Sequence, residues 1–254
     1  MDIYEINLVI EKKQFTKAFC TEIIYSLFEA HKEEFKDNKL EQGGRWSQSQ
    51  VRNSKYLEKE IETLYYSQNM WGVDLPYPKS VTSINVVYDR KDYPIDNWYE
   101  NIPKDKAVIA IRTDRPNVYW VDDPNDKWAP QIAKNINNFV KDSITVYNAI
   151  HPITGSNCWD NDRSTVTTIP TNAEHITWLT FFGPELVNKF GRKKILSAPA
   201  YKIVEFSDGG ILLMSGPTPF GNKKNEHFEE WNTIVCQDKI AKHLGLGEYL
   251  PKTR

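Results

Sequence analysis

The hydrophobic period changes from two residues to about four within the first thirty residues, and no other feature constrains the fold more. Apolar residues occupy alternate positions from 4 to 10, which predicts a strand with one buried face. Every fourth residue from 15 to 27 is apolar, and charged residues flank these positions. This spacing predicts an amphipathic helix over 15–35.

A second strand-then-helix unit lies in "TWLTFFGPELVNKFG", residues 177–191. An aromatic strand over 175–182 is followed by Gly183-Pro184, and a short helix over 184–190 stops at Gly191. A hairpin over 201–216 follows, with its turn at Asp208-Gly209-Gly210, because glycine accepts positive φ without a Cβ clash. These turn residues are expected to be architectural.

The rest of the chain supplies further elements. Strands are predicted over 83–89 and 107–114, and helices over 57–65, 131–149 and about 226–244. Residues 36–50 and 155–172 are rich in turn formers and are predicted as loops. The last helix has apolar positions that lose their phase near Asp238, which predicts either a break there or burial all round: Phe228, Trp231, Val235, Ile240 and Leu244.

These elements predict an α+β fold, with a mostly antiparallel sheet and helices packed on one face. The order of elements also predicts two related β-α-β-β-α halves, 1–150 and 155–254, that share one core. A chain of 254 residues can form a single domain of this kind, and we expect one.

Charge does not favour a nucleic-acid or membrane partner. The chain has 32 basic and 34 acidic residues, so its net charge is −2 and its overall field is weak. The short basic runs at 191–194 and 222–224 are interpreted as solvated surface. Residues 1–13 lack the pattern of a secretion signal, and the three cysteines have no metal spacing. We therefore expect a cytoplasmic protein with reduced thiols.

Motifs for catalysis are missing from the sequence. The five histidines form no metal-ligand pattern, and His31 is expected at the surface or rim of the first helix. No phosphate-binding glycine loop and no nucleophile elbow occur. Asp160 and Asp162 are spaced as in a calcium loop, but Thr165 and Thr171 replace its glycine and its bidentate glutamate. The sequence predicts no catalytic residues, no metal and no cofactor.

Aromatic residues beside acids are the strongest sign of a binding surface. Segments 96–101, 118–128 and 158–163 combine tryptophan with acidic or amide side chains, a composition typical of protein interfaces. The candidate partner-binding residues are Trp120, Asp122, Asp123, Asp126, Trp128, Trp98, Asp160 and Asp162. Two alternatives remain open: the tryptophans anchor loops on the core, and the acids shape a turn around Pro124.

The second half also resembles a known family. An aromatic strand leads into Gly183-Pro184, followed by "LVNKFG", Ala198-Pro199 and "DGG" with "ILLMSGPTP"; "LGL" near the end fits as well. With these features, residues 176–221 resemble the C-terminal half of bacterial immunity proteins from polymorphic and type VI toxin systems. The similarity is to the immunity protein fifty-two family and the related type VI immunity family, whereas the first half agrees only in element order.

The resemblance implies a non-enzymatic inhibitor that binds a cognate toxin domain, often a nuclease of the restriction-endonuclease type. A toxin that grips phosphates presents basic residues, so the acidic and aromatic segment 118–128 is the expected contact. The alternative is a hydrolase with a metal site near Asp122, Asp123 and Asp126. A nucleic-acid binder would need a local basic face.

Overall fold

The structure is a computed structural model that describes residues 3–31, 40–42, 44–46, 70–74, 82–88, 105–114, 129–152, 154–159, 176–219, 221–222 and 231–246. Strands β1 to β12 are, in order, Ile3–Glu11, Leu40–Gln42, Gly44–Trp46, Met70–Asp74, Thr82–Tyr88, Lys106–Asp114, Thr154–Trp159, Leu179–Phe182, Lys202–Glu205, Ile211–Met214, Gly221–Asn222 and Trp231–Asn232. Helices α1 to α5 are Lys17–Ala30, Ala129–Ile150, Pro184–Phe190, Arg192–Leu196 and Thr233–Leu244.

Ten strands form one antiparallel sheet in the order β3-β2-β4-β5-β6-β1-β7-β8-β10-β9. The first strand of the chain lies near its middle, where Tyr4 is paired with Thr113 of β6 on one side and Trp159 of β7 on the other. Strand β7 also pairs with β8, so it joins the strands of the first half to those of the second.

Helices α1 and α2 pack on one face of this sheet. The main apolar cluster contains Ile6, Leu8 and Ile10 of β1 and alternate residues of β6, together with the buried stripes of both helices. It also contains Trp178 and Phe181 from the second half, and Trp178 stacks on Phe139 of α2 with ring centroids 6.2 Å apart. The core therefore draws on both halves of the sequence.

A second apolar cluster lies on the opposite face of β8 and β10. Phe182 and Leu213 belong to it, whereas their strand neighbours Phe181 and Leu212 belong to the first cluster. Helices α3, α4 and α5 contribute most of its other members, so this end of the sheet carries helices on both faces. The predicted α+β class with an antiparallel sheet is confirmed. The predicted packing of helices on one face of the sheet holds for α1 and α2, whereas α3, α4 and α5 pack on the other face.

Strand β1 is buried on both faces, although its alternating sequence predicts one. Asn7 and Val9 are 4% and 1% exposed, as deeply buried as their apolar neighbours. Val108 and Ala110, their register partners on β6, are also buried. Both faces of β1 are therefore covered, which shows that polarity at alternate positions does not guarantee solvent exposure.

The unit at 177–191 is architecture, as predicted. Gly183 precedes α3, Pro184 takes its first position, and Gly191 ends it with φ of 89°. Proline suits this place because the first turn of a helix has no partner for its N–H groups. At the hairpin turn, Gly209 has φ of 92°, and the Gly210 N–H donates to the Asp208 carboxylate at 2.8 Å.

Several predicted boundaries were wrong: α1 ends at Ala30 rather than at 35, and β8 begins at Leu179 rather than at 175. The loop expected over 36–50 contains β2 and β3, and the connector expected over 155–172 begins as β7. Cross-strand pairing overrides the turn-forming composition of these stretches. The last helix begins only at Thr233, because Trp231 and Asn232 pair as a strand with Gly221 and Asn222. It then runs unbroken through Asp238.

Candidate functional site

The predicted partner-binding residues all lie outside the described residues: Trp120, Asp122, Asp123, Asp126, Trp128, Trp98, Asp160 and Asp162. Two described strands precede these segments in the chain. Strand β6 ends at Asp114 and β7 ends at Trp159, and both ends flank the start of β1. The ends of β6 and β7 are therefore about 10 Å apart, because β1 lies between the two strands.

His31 was predicted at the surface or rim of the first helix, and this prediction was wrong. The residue follows the end of α1 and is only 1% exposed. Its Nε2 lies 2.6 Å from Oδ1 of Asp142 on α2, and both side chains are fully buried. The pair links the two helices that cover the main sheet face. A sequence signal exists, because His31 continues the four-residue period of Phe19, Ile23 and Leu27.

A second polar cluster joins the end of α2 to the β9–β10 turn. The Tyr147 hydroxyl donates to Oδ2 of Asp208 at 3.3 Å, and Nδ1 of His151 lies 3.4 Å from the same oxygen. Burial, followed by the neighbouring Asp208 carboxylate, raises the pKa of the Tyr147 hydroxyl. His151 has φ of 47°, a strained value for a residue with a Cβ.

This cluster is packed as a structural joint. The Tyr147 ring stacks on Phe206 with centroids 3.9 Å apart, and a Cβ on Gly210 would lie 1.8 Å from the Tyr147 hydroxyl oxygen. Arg192 of α4 donates to the Gly209 carbonyl at 3.0 Å and pairs with Glu205. The carboxylate of Asp208 is therefore engaged by the turn and by α2, while the His151 side chain stays half exposed.

The two described thiols are buried and unsuited to nucleophilic attack. Burial raises the pKa of Cys20 to about 12, and burial is also the largest cause of the raised pKa of Cys236. A thiol with a raised pKa is not ionised near neutral pH and is a poor nucleophile. Across the described ranges, no three histidine, cysteine or carboxylate side chains lie close enough to hold a metal ion.

The largest exposed apolar side chains of the described residues lie in the first turn of α5. Ile234 is 46% exposed and Val235 is 44% exposed. Val235 was predicted in the buried stripe, and this was wrong because the helix begins at Thr233. Its buried stripe is instead Thr233, Cys236, Gln237, Ile240, Ala241 and Leu244. Val235 shares the outer side of α5 with Lys239 and Lys242, one and two turns further on.

We call Ile234, Val235, Lys239 and Lys242 the α5 face. Basic residues dominate the helical layer that contains it, since the exposed charged side chains of α3, α4 and α5 are six bases and two acids. They are Lys189, Arg192, Lys193, Lys194, Lys239 and Lys242, against Glu185 and Asp238. This local excess contrasts with the net charge of −2 for the whole chain.

Comparisons with known proteins show a likeness of fold. No protein-family model matches the chain, and no curated protein matches its sequence. A solved structure titled "Pseudomonas aeruginosa T6SS protein PA0821" is similar to it with a TM-score of 0.50 and 9% sequence identity. The similarity covers 96% of this chain and 73% of that one.

Neither the helices nor the comparison extends the description beyond the fold. No helix in the described part of the chain is long and apolar enough to cross a membrane. At 9% identity, the likeness to the T6SS protein extends to the fold alone. The chain is thus an α+β protein that shares its overall fold with a type VI secretion protein.

Proposed function

We propose that this protein is an immunity protein that neutralises a cognate type VI secretion toxin by binding it. The observation that carries the proposal is the likeness to a T6SS protein along 96% of the chain. The resemblance of residues 176–221 to immunity families supports it independently. Those residues build β8, α3, α4, β9 and β10, which explains why the shared motifs are turns, caps and buried strands.

The chemistry of the described residues supports binding more than catalysis. His31 and Asp142 are enclosed in the core, and the described thiols are buried with raised pKa values. Tyr147 is buried as well and has a raised pKa, so it is a weak proton donor at neutral pH. These groups hold the fold together, whereas the α5 face is available for contact.

The toxin we propose is a nuclease-type effector, and segment 118–128 is its proposed contact. Acidic side chains there would face the basic residues with which a nuclease grips phosphates. The composition of segment 118–128 supports this contact, because it combines two tryptophans with three acids.

Co-expression tests the proposed function directly. We expect a toxin-like gene next to this one, and its product is induced in a bacterial host with this protein or with an empty vector. We expect growth to stop with the vector and to continue with the protein. Arrested growth in both cultures, or no arrest in either, would contradict the proposal.

The contact at 118–128 has its own test. Asp122→Asn combined with Asp123→Asn should leave the melting temperature unchanged and slow association with the toxin, most clearly at low salt. If the acids only shape a turn, the same variant melts earlier and its folded fraction binds as tightly as the wild type. That result would reject this surface and leave the immunity function intact.

A further inference from the structure

We draw no further inference here: the strongest candidate, the outer edge of strand β9 at the end of the ten-stranded sheet, carries no proposal because nothing in the described part of the chain shows what would pair with it.

Discussion

At the scale of single residues, the buried pair of His31 and Asp142 is the most consequential contact. Each side chain is an ionisable group without solvent exposure, and each depends on the other across the α1–α2 interface. Burying such groups costs several kcal/mol unless they are paired. The pair therefore fixes the alignment of α1 and α2, because a misaligned interface would leave one partner unsatisfied.

Asp142→Ala is expected to lower the free energy of unfolding by roughly 3–5 kcal/mol, because His31 stays buried without its carboxylate partner. Urea denaturation measures this loss. Asn148→Ala is the matched control, since Asn148 is exposed on the same helix and should cost under about 0.5 kcal/mol. Equal losses of stability in the two variants would show that the contact between His31 and Asp142 does not stabilise the fold.

The Cys20 thiol should be protected in the native protein. Its pKa is raised to about 12, so at pH 8 only roughly one thiol in ten thousand is ionised, and the group is also buried. Iodoacetamide at pH 8 should leave Cys20 unmodified in native protein and label it in guanidinium, as measured by peptide mass spectrometry. Rapid native labelling would contradict the described core.

Residue-level prediction from sequence succeeded for turns and failed for buried polar groups. Gly191 and Gly209 were recognised because positive φ restricts the residue type strongly. His31 was misplaced because its charged sequence neighbours outweighed its position on the apolar stripe. Asp142 was not singled out, since one acid among the apolar residues of α2 shows no partner in sequence.

At the scale of elements, the joint between α2 and the β9–β10 hairpin depends on close approach. Gly210 leaves room for the Tyr147 hydroxyl, and Tyr147 in turn stacks on Phe206 and Phe181. The hairpin turn thus carries two requirements at adjacent glycines. Gly209 adopts a positive φ, whereas Gly210 leaves room for the Tyr147 hydroxyl.

Gly210→Ala should cost about 1–3 kcal/mol of stability, because its Cβ collides with a tyrosine that is packed and cannot move. Gly209→Ala, whose Cβ meets nothing within 4 Å, should cost about 1 kcal/mol for its left-handed backbone alone. Adding Tyr147→Phe distinguishes the steric cause from the backbone cause in thermal denaturation. It should recover part of the stability lost in Gly210→Ala and none of that lost in Gly209→Ala. Equal effects on both would reject the steric explanation.

Elements with a strong hydrophobic period were predicted well, and short strands were not. The 22-residue helix α2 and strand β6 match their sequence patterns closely. Strand β7 was missed because Gly155 and Ser156 favour turns, and only the free edges of β1 and β8 make a strand there. Long-range pairing of this kind leaves no local trace in the sequence.

At the scale of the whole molecule, one sheet crosses both halves of the sequence. The main apolar cluster contains Leu8 and Phe139 from the first half and Trp178 and Leu212 from the second. Strand β7 pairs with β1 and β8 at once. The relation between the two halves remains a prediction from element order, whereas the structure shows that both halves contribute to one core.

Unfolding should accordingly follow one cooperative transition. Calorimetry of the full chain is expected to give a single peak whose van't Hoff and calorimetric enthalpies agree. Fragments 1–150 and 155–254 should each be unstable, because each loses part of the main cluster and the first also loses β7. Two separate peaks, or a stably folded fragment, would contradict this account.

The binding surface that the sequence composition predicts lies outside the described residues, so it stays a prediction. That prediction rests on the acidic and aromatic segments, whereas the α5 face is identified from the exposure of described side chains. The α5 face escaped notice because Val235 fitted the expected apolar stripe of a longer helix until the start of α5 was known. Exposure depends on where a helix begins, and that boundary is set by the pairing of β12.

Titration of the toxin's activity tests the central claim, that this protein neutralises by stoichiometric binding. Purified toxin at a fixed concentration is mixed with increasing amounts of this protein, and residual activity is measured at equilibrium. Tight binding predicts a linear fall that reaches zero at an equimolar ratio. Complete loss of activity far below equimolar would reveal turnover by an enzyme, and undiminished activity at molar excess would contradict neutralisation itself.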